Sequence, residues 1–354
     1  MSVENYKCPS CGAPISFNPK TGGFKCDFCF SSYTEEELTK YMEDIKAKKD
    51  NVDEGSSASE SAGDGGVKQY TCNNCGAEVV VGDTSSTAFC YYCHSPVVLS
   101  DRLKGDFRPD KIIPFKLDKK EALKHFADWV KGKKYVPSDF TSNSTKEKMT
   151  GIYLPHWQAD VIADVDYHAT GLKISTWQTG NMEYTKTDKY KIDRTGKIEL
   201  DKFQELAFTK IDKPLINAIS PYDLEEQKDF SQGYLAGFSS EQYDIKKEEI
   251  EPVIKQRAGD YTKNLIHGST NYAGCIEDEH DNTSYTVQNY AYVLLPSWVL
   301  TYLYKGKTYV FAVNGQTGKA TGELPVNKFK LGIVSAIMSG VIAALLLLGG
   351  RFIW

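Results

Sequence analysis

Eight of the nine cysteines occur as Cys-x-x-Cys pairs within the first 93 residues, a spacing that is typical of metal ligands. They form two identical arrangements, each with 14 residues between its two pairs, and the second follows the first at an offset of 64. A Cys-x-x-Cys turn places two thiolates on one edge of a tetrahedron, so two such turns joined by a short β-hairpin close a four-cysteine site. The eight predicted ligands are Cys8, Cys11, Cys26, Cys29, Cys72, Cys75, Cys90 and Cys93.

We expect two structural zinc sites, one in each arrangement. Four thiolates leave no coordination position open for a substrate, so the metal is expected to fold segments that are too small to fold alone. Redox-active thiols and an iron–sulfur cluster are the alternatives for the same spacing. Gly12 and Gly76 follow the first pair of each arrangement, where the turn often needs a positive φ, whereas Phe30 and His94 follow the second pairs.

Composition and charge limit the class of protein. The chain has 354 residues, 41% of them hydrophobic and 25% charged, which is ordinary for a globular protein of two or three domains. The formal net charge is −5, and two zinc tetrathiolate centres at −2 each bring it to about −9. Because phosphate contacts supply most non-specific affinity for nucleic acid, this charge disfavours a nucleic-acid partner. The polar N-terminus lacks the apolar segment of a secretory signal, so the body is expected in the cytoplasm, where thiols stay reduced.

The middle of the chain contains a second internal repeat. Leu154-Pro-His-Trp157 and Leu295-Pro-Ser-Trp298 match, and each precedes β-rich sequence. We therefore expect an α+β fold with the following parts: zinc ribbon 1 at 1–34, a short helix and flexible acidic linker at 35–68, zinc ribbon 2 at 69–104, a duplicated α+β domain with an antiparallel sheet at 105–325, and one transmembrane helix at 331–350.

Local patterns predict several elements of the duplicated domain. Asp118 and Glu121 form a capping box before a helix that ends near Gly132. One hairpin is predicted to turn at Lys305-Gly306, and another to pair 157–167 with 173–178 or beyond. A long helix is expected over 240–265, and Asn314-Gly-Gln-Thr-Gly-Lys319, which resembles a phosphate loop only superficially, is expected to be a turn between strands.

No catalytic motif stands out, so no catalytic residue is assigned and we do not expect an enzyme. The chain has no phosphate-binding glycine loop, no His-Glu-x-x-His and no Gly-x-Ser-x-Gly. A deep pocket between the two halves of the domain, lined by His156, His168 or Cys275, would be the feature that favours an enzyme.

The last part of the chain predicts a membrane anchor. Residues 331–350 are uncharged and rich in Leu, Ile, Val and Ala, and as a helix they would cover about 30 Å, the thickness of a bilayer core. This predicts a single-pass C-terminal anchor in the cell membrane with a cytoplasmic N-terminal body. Small residues at Gly332, Ala336, Gly340 and Ala344 share one helix face and suggest pairing with another membrane protein.

The chain resembles a family of bacterial (Firmicutes-type) membrane-anchored proteins with two ribbons of the transcription-factor-IIB type, often labelled primosomal or phage replication proteins. The cysteine pairs carry this resemblance together with four further motifs: Ile112-Ile-Pro-Phe-Lys-Leu-Asp118, Leu154-Pro-His-Trp157, Tyr234-Leu-Ala-Gly237 and Asn314-Gly-Gln-Thr-Gly-Lys319. Some members look like partners of phage-shock-protein-A and flotillin-like (SPFH) membrane-stress proteins, which implies a scaffold role.

Two functional hypotheses follow. The first is a tail-anchored adaptor or scaffold that recruits cytosolic proteins to the cell membrane, in line with the membrane-stress role that the resemblance implies. The alternative is a membrane-tethered nucleic-acid-binding protein, an accessory of replication or transcription.

Overall fold

The structure of the protein is a computed structural model that describes residues 3–4, 6–50, 68–72, 78–89, 96–270 and 274–350. Six α-helices lie within these ranges. They are α1 (Glu35–Asp50), α2 (Lys119–Val130), α3 (Asn143–Glu147), α4 (Lys213–Ile219), α5 (Lys247–Gly268) and α6 (Lys328–Gly350). The predicted capping box of α2 is confirmed, because the Asp118 carboxylate accepts from the Glu121 N–H at 2.8 Å and the Asp118 N–H donates to the Glu121 carboxylate at 3.0 Å.

The same ranges contain seventeen β-strands. The N-terminal ones are β1 (Val3–Glu4), β2 (Ile15–Asn18), β3 (Gly23–Cys26), β4 (Ser32–Tyr33), β5 (Lys68–Thr71), β6 (Glu78–Val81), β7 (Thr87–Phe89) and β8 (Pro96–Leu99). The others are β9 (Lys111–Ile112), β10 (Thr150–Thr179), β11 (Met182–Leu206), β12 (Lys228–Asp229), β13 (Ser239–Ser240), β14 (Cys275–Asp281), β15 (Ser284–Tyr304), β16 (Lys307–Asn314) and β17 (Ala320–Gly322). Three small sheets have the orders β1-β8-β7, β2-β3-β4 and β5-β6.

A nine-stranded sheet made of β9 to β17 forms the body of the protein. Its main order is β11-β10-β15-β16-β17, with antiparallel neighbours throughout. Two short strands pair in parallel instead, β9 with β15 and β13 with β10. The α+β prediction is therefore right, but the sheet is mixed. A tight turn between two strands requires that they pair antiparallel. Neither short strand is joined to its partner by a tight turn, so a parallel pairing is possible.

The two Leu-Pro-x-Trp motifs meet at the centre of this sheet. Leu154 of β10 lies opposite Leu295 of β15. In the same antiparallel register, Trp157 lies opposite Tyr292 and Gly151 lies opposite Trp298. Each indole N–H donates to a loop carbonyl, Trp157 to Ile245 at 2.8 Å and Trp298 to Leu117 at 3.0 Å. The motifs thus connect the sheet to the segments that cover it.

The hairpin predicted to pair 157–167 with 173–178 or beyond does form, but the partner lies beyond 178, because 157–167 pair with 194–205. β10 continues unbroken to Thr179, turns at Gly180 with a φ of +60°, and returns as β11. Residues 168–172, where the turn was expected, instead pair with β11 on one side and with β14 on the other. Beyond β14 the two strands form a projecting arm, in which Trp177 and Tyr184 stack across the strands with ring centroids 5.7 Å apart.

The second hairpin prediction is confirmed. β15 and β16 are joined at Lys305 and Gly306, which both have positive φ, +51° and +79°. The expected turn after β16 is also present. Its Asn314 is fully buried, and its amide donates to the carbonyl oxygens of Ile219 at 3.0 Å and Pro221 at 3.2 Å. The helix expected over 240–265 begins later, at Lys247, because Ser239 and Ser240 form β13.

The N-terminal ribbon, which we define as residues 6–33, packs directly on the body through the Tyr234-Leu-Ala-Gly237 segment. The Phe17 ring contacts the Tyr234 ring edge-on at 5.1 Å, and the Phe17 N–H donates to the Ala236 carbonyl at 3.0 Å. Gly237 has a φ of +91°, and a Cβ there would lie 2.9 Å from the Ser16 Cβ. Only glycine suits this position, because both the backbone conformation and the close approach exclude a side chain.

The predicted transmembrane helix at 331–350, and with it the single-pass anchor in the cell membrane, is wrong. A helix, α6, does form there, but no helix in the described part of the chain is long and apolar enough to cross a membrane. The expected pairing of Gly332, Ala336, Gly340 and Ala344 with another membrane protein depended on that span.

Replacing Phe17 with alanine tests the contact between ribbon and body. Phe17 is only 5% exposed, so Phe17→Ala is expected to lower the free energy of unfolding by about 3 kcal/mol, through lost burial and a residual cavity. Urea unfolding followed by tryptophan fluorescence measures this change. Phe329→Ala on the exposed face of α6 is the control, expected to change the value by less than about 0.5 kcal/mol. Equal effects would contradict the described packing.

Candidate metal centre

The N-terminal ribbon contains two cysteine turns of the same construction. In the first, the Cys8 N–H donates to the Ala13 carbonyl at 2.7 Å, and the Gly12 N–H donates back to the Cys8 carbonyl at 2.9 Å. In the second, the Cys26 N–H donates to Ser31 and the Phe30 N–H donates to Cys26, both at 3.0 Å. The hairpin of β2 and β3 connects the turns and brings their sulfur atoms together.

The four sulfur atoms of Cys8, Cys11, Cys26 and Cys29 all lie within 4.8 Å of one another, so this cluster could hold a metal ion. The Cys8 and Cys29 sulfurs are 3.5 Å apart, and those of Cys11 and Cys26 are 3.6 Å apart. A tetrahedral ion with metal–sulfur bonds of about 2.3 Å requires edges of about 3.8 Å, so the spacing fits a tetrahedral thiolate site. All four positions of such an ion would be filled by protein sulfur.

Hydrogen bonds and crowding shift the pKa values of Cys29 and Cys11 in opposite directions. The Ser31 hydroxyl, 3.3 Å from the Cys29 sulfur, and then the Ser31 N–H lower the pKa of Cys29 to about 6. The Ala13 N–H favours the thiolate of Cys11, but desolvation and the other three cysteines together raise its pKa to about 12. Four neighbouring thiols cannot all ionise without a metal, because the thiolates would repel one another. A divalent cation would offset this repulsion and displace the remaining protons.

The second predicted site falls largely outside the described residues. Cys75, Cys90 and Cys93 lie there, while Cys72 is described and is buried in a small core with Tyr70, Val79 and Leu99. Among the described residues the Cys8, Cys11, Cys26 and Cys29 cluster is the one group with metal-binding geometry. The described residues therefore contain one of the two predicted clusters, and three of the four predicted ligands of the other lie outside them.

The three residues that would line a catalytic pocket, His156, His168 and Cys275, do not lie close together. His156 and His168 lie twelve residues apart on β10, about 40 Å along a strand. His168 is exposed between Asp193 at 2.6 Å and Asp166 at 3.0 Å, and these carboxylates, Asp193 first, raise the pKa of its imidazole. Cys275, at the start of β14, is exposed and lies opposite Leu172 rather than either histidine.

His156 is a buried core residue. Its Nδ1 lies 3.0 Å from the Leu154 carbonyl, which assigns the proton to that nitrogen. Burial lowers the pKa of His156 to about 4. The hydrogen bond to Leu154 and the nearby carboxylate of Glu205 act in the opposite direction but are weaker. Glu205 is fully buried and forms ion pairs with Arg257 and Lys213. The side chain is therefore neutral at physiological pH.

A groove of about 790 Å³ adjoins the metal centre, between the ribbon, β7 and the body. Its apolar lining comes from all three parts, namely Phe28 of the second cysteine turn, Phe89 of β7, and Met149, Phe238 and Trp298 of the body. Phe28 and its neighbour Phe30 are 73% and 74% exposed, the highest values of any aromatic side chains in the N-terminal ribbon. One feature of the sequence indicates the exposed surface at this turn: Phe30 follows the second cysteine pair at the position where Gly12 follows the first.

Loss of one cysteine tests the metal cluster. Cys26→Ser is expected to remove one tightly bound metal ion per chain, because an alcohol is a poor replacement for a buried thiolate ligand. Titration with Co²⁺, followed by thiolate-to-metal charge-transfer absorption, measures the loss. Cys275→Ser is the matched control and should retain all of the metal, since Cys275 is exposed and outside the cluster.

The buried state of His156 predicts an acid-sensitive contribution to stability. The pKa of about 4 in the folded protein lies below the unfolded value of about 6.5, so the unfolded chain binds more protons between these pH values. This contribution is complete above about pH 6.5 and is lost as the pH falls towards 4, by about 3 kcal/mol in total.

Chemical unfolding at a series of pH values measures this dependence. His156→Leu should flatten the loss of stability between about pH 6.5 and 4. His168→Leu provides a contrast of opposite sign, because the raised pKa of His168 gives stability at low pH that is lost as the pH rises through it. An unchanged acid limb in His156→Leu would show that this histidine is not neutral in the folded protein.

Comparison with known proteins yields one relative. No protein-family model and no solved structure matches the chain. Uncharacterized protein YdjG of Bacillus subtilis (strain 168) is 32% identical over 357 residues, which cover 99% of this chain and 100% of the relative. Identity at this level along the whole of both chains means that this protein belongs to the YdjG family.

Proposed function

We propose that the protein is a non-catalytic adaptor that binds other proteins, and that its cysteine cluster holds a structural zinc ion. The observation that carries the proposal is the exposure of Phe28 and Phe30 on the turn that supplies Cys26 and Cys29. Large apolar side chains are usually buried, and an exposed apolar patch beside a groove is typical of an interaction surface. A closed tetrahedral site would hold this turn rigid.

Zinc is the metal that fits the donor set best. Four soft thiolates in a tetrahedron favour zinc or an iron–sulfur cluster, and the two sulfur–sulfur distances near 3.5 Å match a single ion. No coordination position would be left for a substrate, so this centre is given no catalytic step. A zinc ion held here would stabilise the ribbon, because binding free energy at such a site is folding free energy.

The conformation of Phe30 supports a role in binding. Its φ is +61°, a region that costs a non-glycine residue about 1 kcal/mol, and the equivalent Gly12 adopts +73° without that cost. Phe30 has no packing role that offsets this cost, because its side chain is largely exposed. Backbone strain of this kind often occurs at functional positions.

The resemblance to ribbon proteins that look like partners of phage-shock-protein-A and SPFH proteins suggests the class of partner. Membrane-stress proteins of those types are therefore our first choice. Membrane anchoring forms no part of the proposal, because no helix among the described residues suits it.

Crosslinking in cells followed by quantitative proteomics tests the adaptor function. A tagged full-length chain should retain discrete protein partners, and Phe30→Gly should reduce their recovery by about fivefold or more while keeping its metal, since glycine suits the backbone at this position. Leu303→Ser, at a residue that is 68% exposed on β15, is the matched control and should lose nothing. Metal analysis of the purified protein should find zinc.

Three outcomes would contradict the proposal. Recovery of the same partners with Phe30→Gly would show that the exposed turn does not bind them. Salt-sensitive recovery of nucleic acid instead of protein would favour the alternative function. Iron with visible absorption in place of zinc would overturn the metal assignment.

A further inference from the structure

We infer that the groove beside the metal centre binds an extended segment of a partner protein in which large apolar side chains alternate with or are flanked by lysine or arginine. This inference rests on the proposed adaptor function and identifies the chemistry of the partner. The groove has the volume of a small binding pocket, about 790 Å³, which accommodates a few side chains rather than a folded domain.

The apolar part of the partner follows from the lining of the groove. Phe238 and Trp298 belong to one aromatic cluster of the body, with ring centroids 6.0 Å apart. Gly151 lies directly below them, and a Cβ there would approach the Phe238 ring to 2.7 Å. Absence of a side chain at position 151 therefore makes room for the Phe238 ring, which is only 6% exposed, as is Trp298. Phe28 and Phe89 are the exposed aromatic residues of the lining, at 73% and 41%, and would contact an apolar side chain bound in the groove.

The third wall is held firmly in place. The Ser86 N–H, next to β7, donates to the Ser240 carbonyl of β13 at 2.8 Å. The Thr84 and Ser85 hydroxyls donate to the Glu241 carboxylate at 2.6 and 2.8 Å. These contacts connect the segment before β7 to the body, and Phe89 at the end of β7 pairs with Pro96 of β8. Binding to fixed walls loses less conformational entropy than binding to mobile ones.

The basic part of the partner follows from the charges at the rim. Asp27 and Glu147 line the groove, and neither carboxylate has an ion-pair partner among the described residues. Asp118 is already paired with Lys20 at 3.0 Å. Lys119 also lines the groove and keeps its positive charge, because it donates at 2.8 Å to the neutral backbone carbonyl of Glu147. Two unpaired carboxylates against one ammonium leave the rim with a net negative charge, and a zinc ion bound by four thiolates would add two negative charges next to Asp27. This excess of negative charge favours cationic side chains and repels acidic segments.

Selection from a random peptide library tests this chemistry directly. A library of twelve-residue peptides displayed on phage is panned against the zinc-loaded full-length protein, with counter-selection on Phe28→Ser. The enriched sequences should contain an aromatic or large aliphatic residue with lysine or arginine beside it. A synthetic peptide from the enriched set should bind at least tenfold more weakly to Phe28→Ser than to the unaltered protein.

Charge reversal isolates the acidic rim. Glu147→Lys lies on α3, away from the cysteines, and should weaken the same peptide about tenfold, whereas Asp201→Lys on the exposed edge strand β11 should not. Metal content and circular dichroism of each variant confirm that it has folded.

Several outcomes would overturn the inference. These are enrichment of acidic or purely polar peptides, no enrichment beyond the Phe28→Ser protein, and equal effects of the two charge reversals. If partners are recovered from cells through Phe30 and the library result is still one of these, the adaptor function stands and the assigned chemistry of the groove is wrong.

Discussion

The antiparallel pairing of β10 with β15 at Leu154 and Leu295 is the constraint on which the other described parts depend. It places Trp298 opposite Gly151, and the space left by that glycine receives the Phe238 ring. Phe238 directly follows the Tyr234-Leu-Ala-Gly237 segment, on which the N-terminal ribbon packs. A shift of one residue in this register would turn every side chain to the other face of the sheet, and it would remove both the floor of the groove and the contact surface of the ribbon.

Two kinds of stabilisation meet at the ribbon. Its inner face is held by ordinary packing, with Phe17 and Phe24 in contact with each other and with the body. The second cysteine turn has less such support, because Phe28, Cys29 and Phe30 are exposed. A metal ion bound by the four sulfurs would supply the missing constraint, since it joins the exposed Cys11 and Cys29 to the buried Cys8 and Cys26. With a metal bound, the turn would stay folded although its phenylalanine side chains are not buried in a core.

The sequence predicts local geometry better than long-range contacts in this protein. The cysteine spacing predicts the Cys8, Cys11, Cys26 and Cys29 cluster, and Asp118 with Glu121 predicts the start of α2, because both patterns act over a few residues. The packing of Phe17 on Tyr234 could not be predicted, since no periodicity relates positions more than 200 residues apart. The length of β10 was not predicted, because pairing with β11 on one side and β14 on the other extends it to Thr179. The apolar run after Leu331 predicted a membrane span, but no helix in the described part of the chain is long and apolar enough to cross a membrane.

Phe30 links these observations. Gly12 and Phe30 occupy the same position in two turns with the same hydrogen bonds, so the turn itself does not require a phenylalanine. A glycine at position 30 would save about 1 kcal/mol of backbone strain and would remove an exposed aromatic ring. Both changes would favour stability and solubility of the isolated chain. The presence of phenylalanine is therefore explained if a bound partner buries the ring, and Phe28 of the same turn lines the adjacent groove in which such a partner would bind.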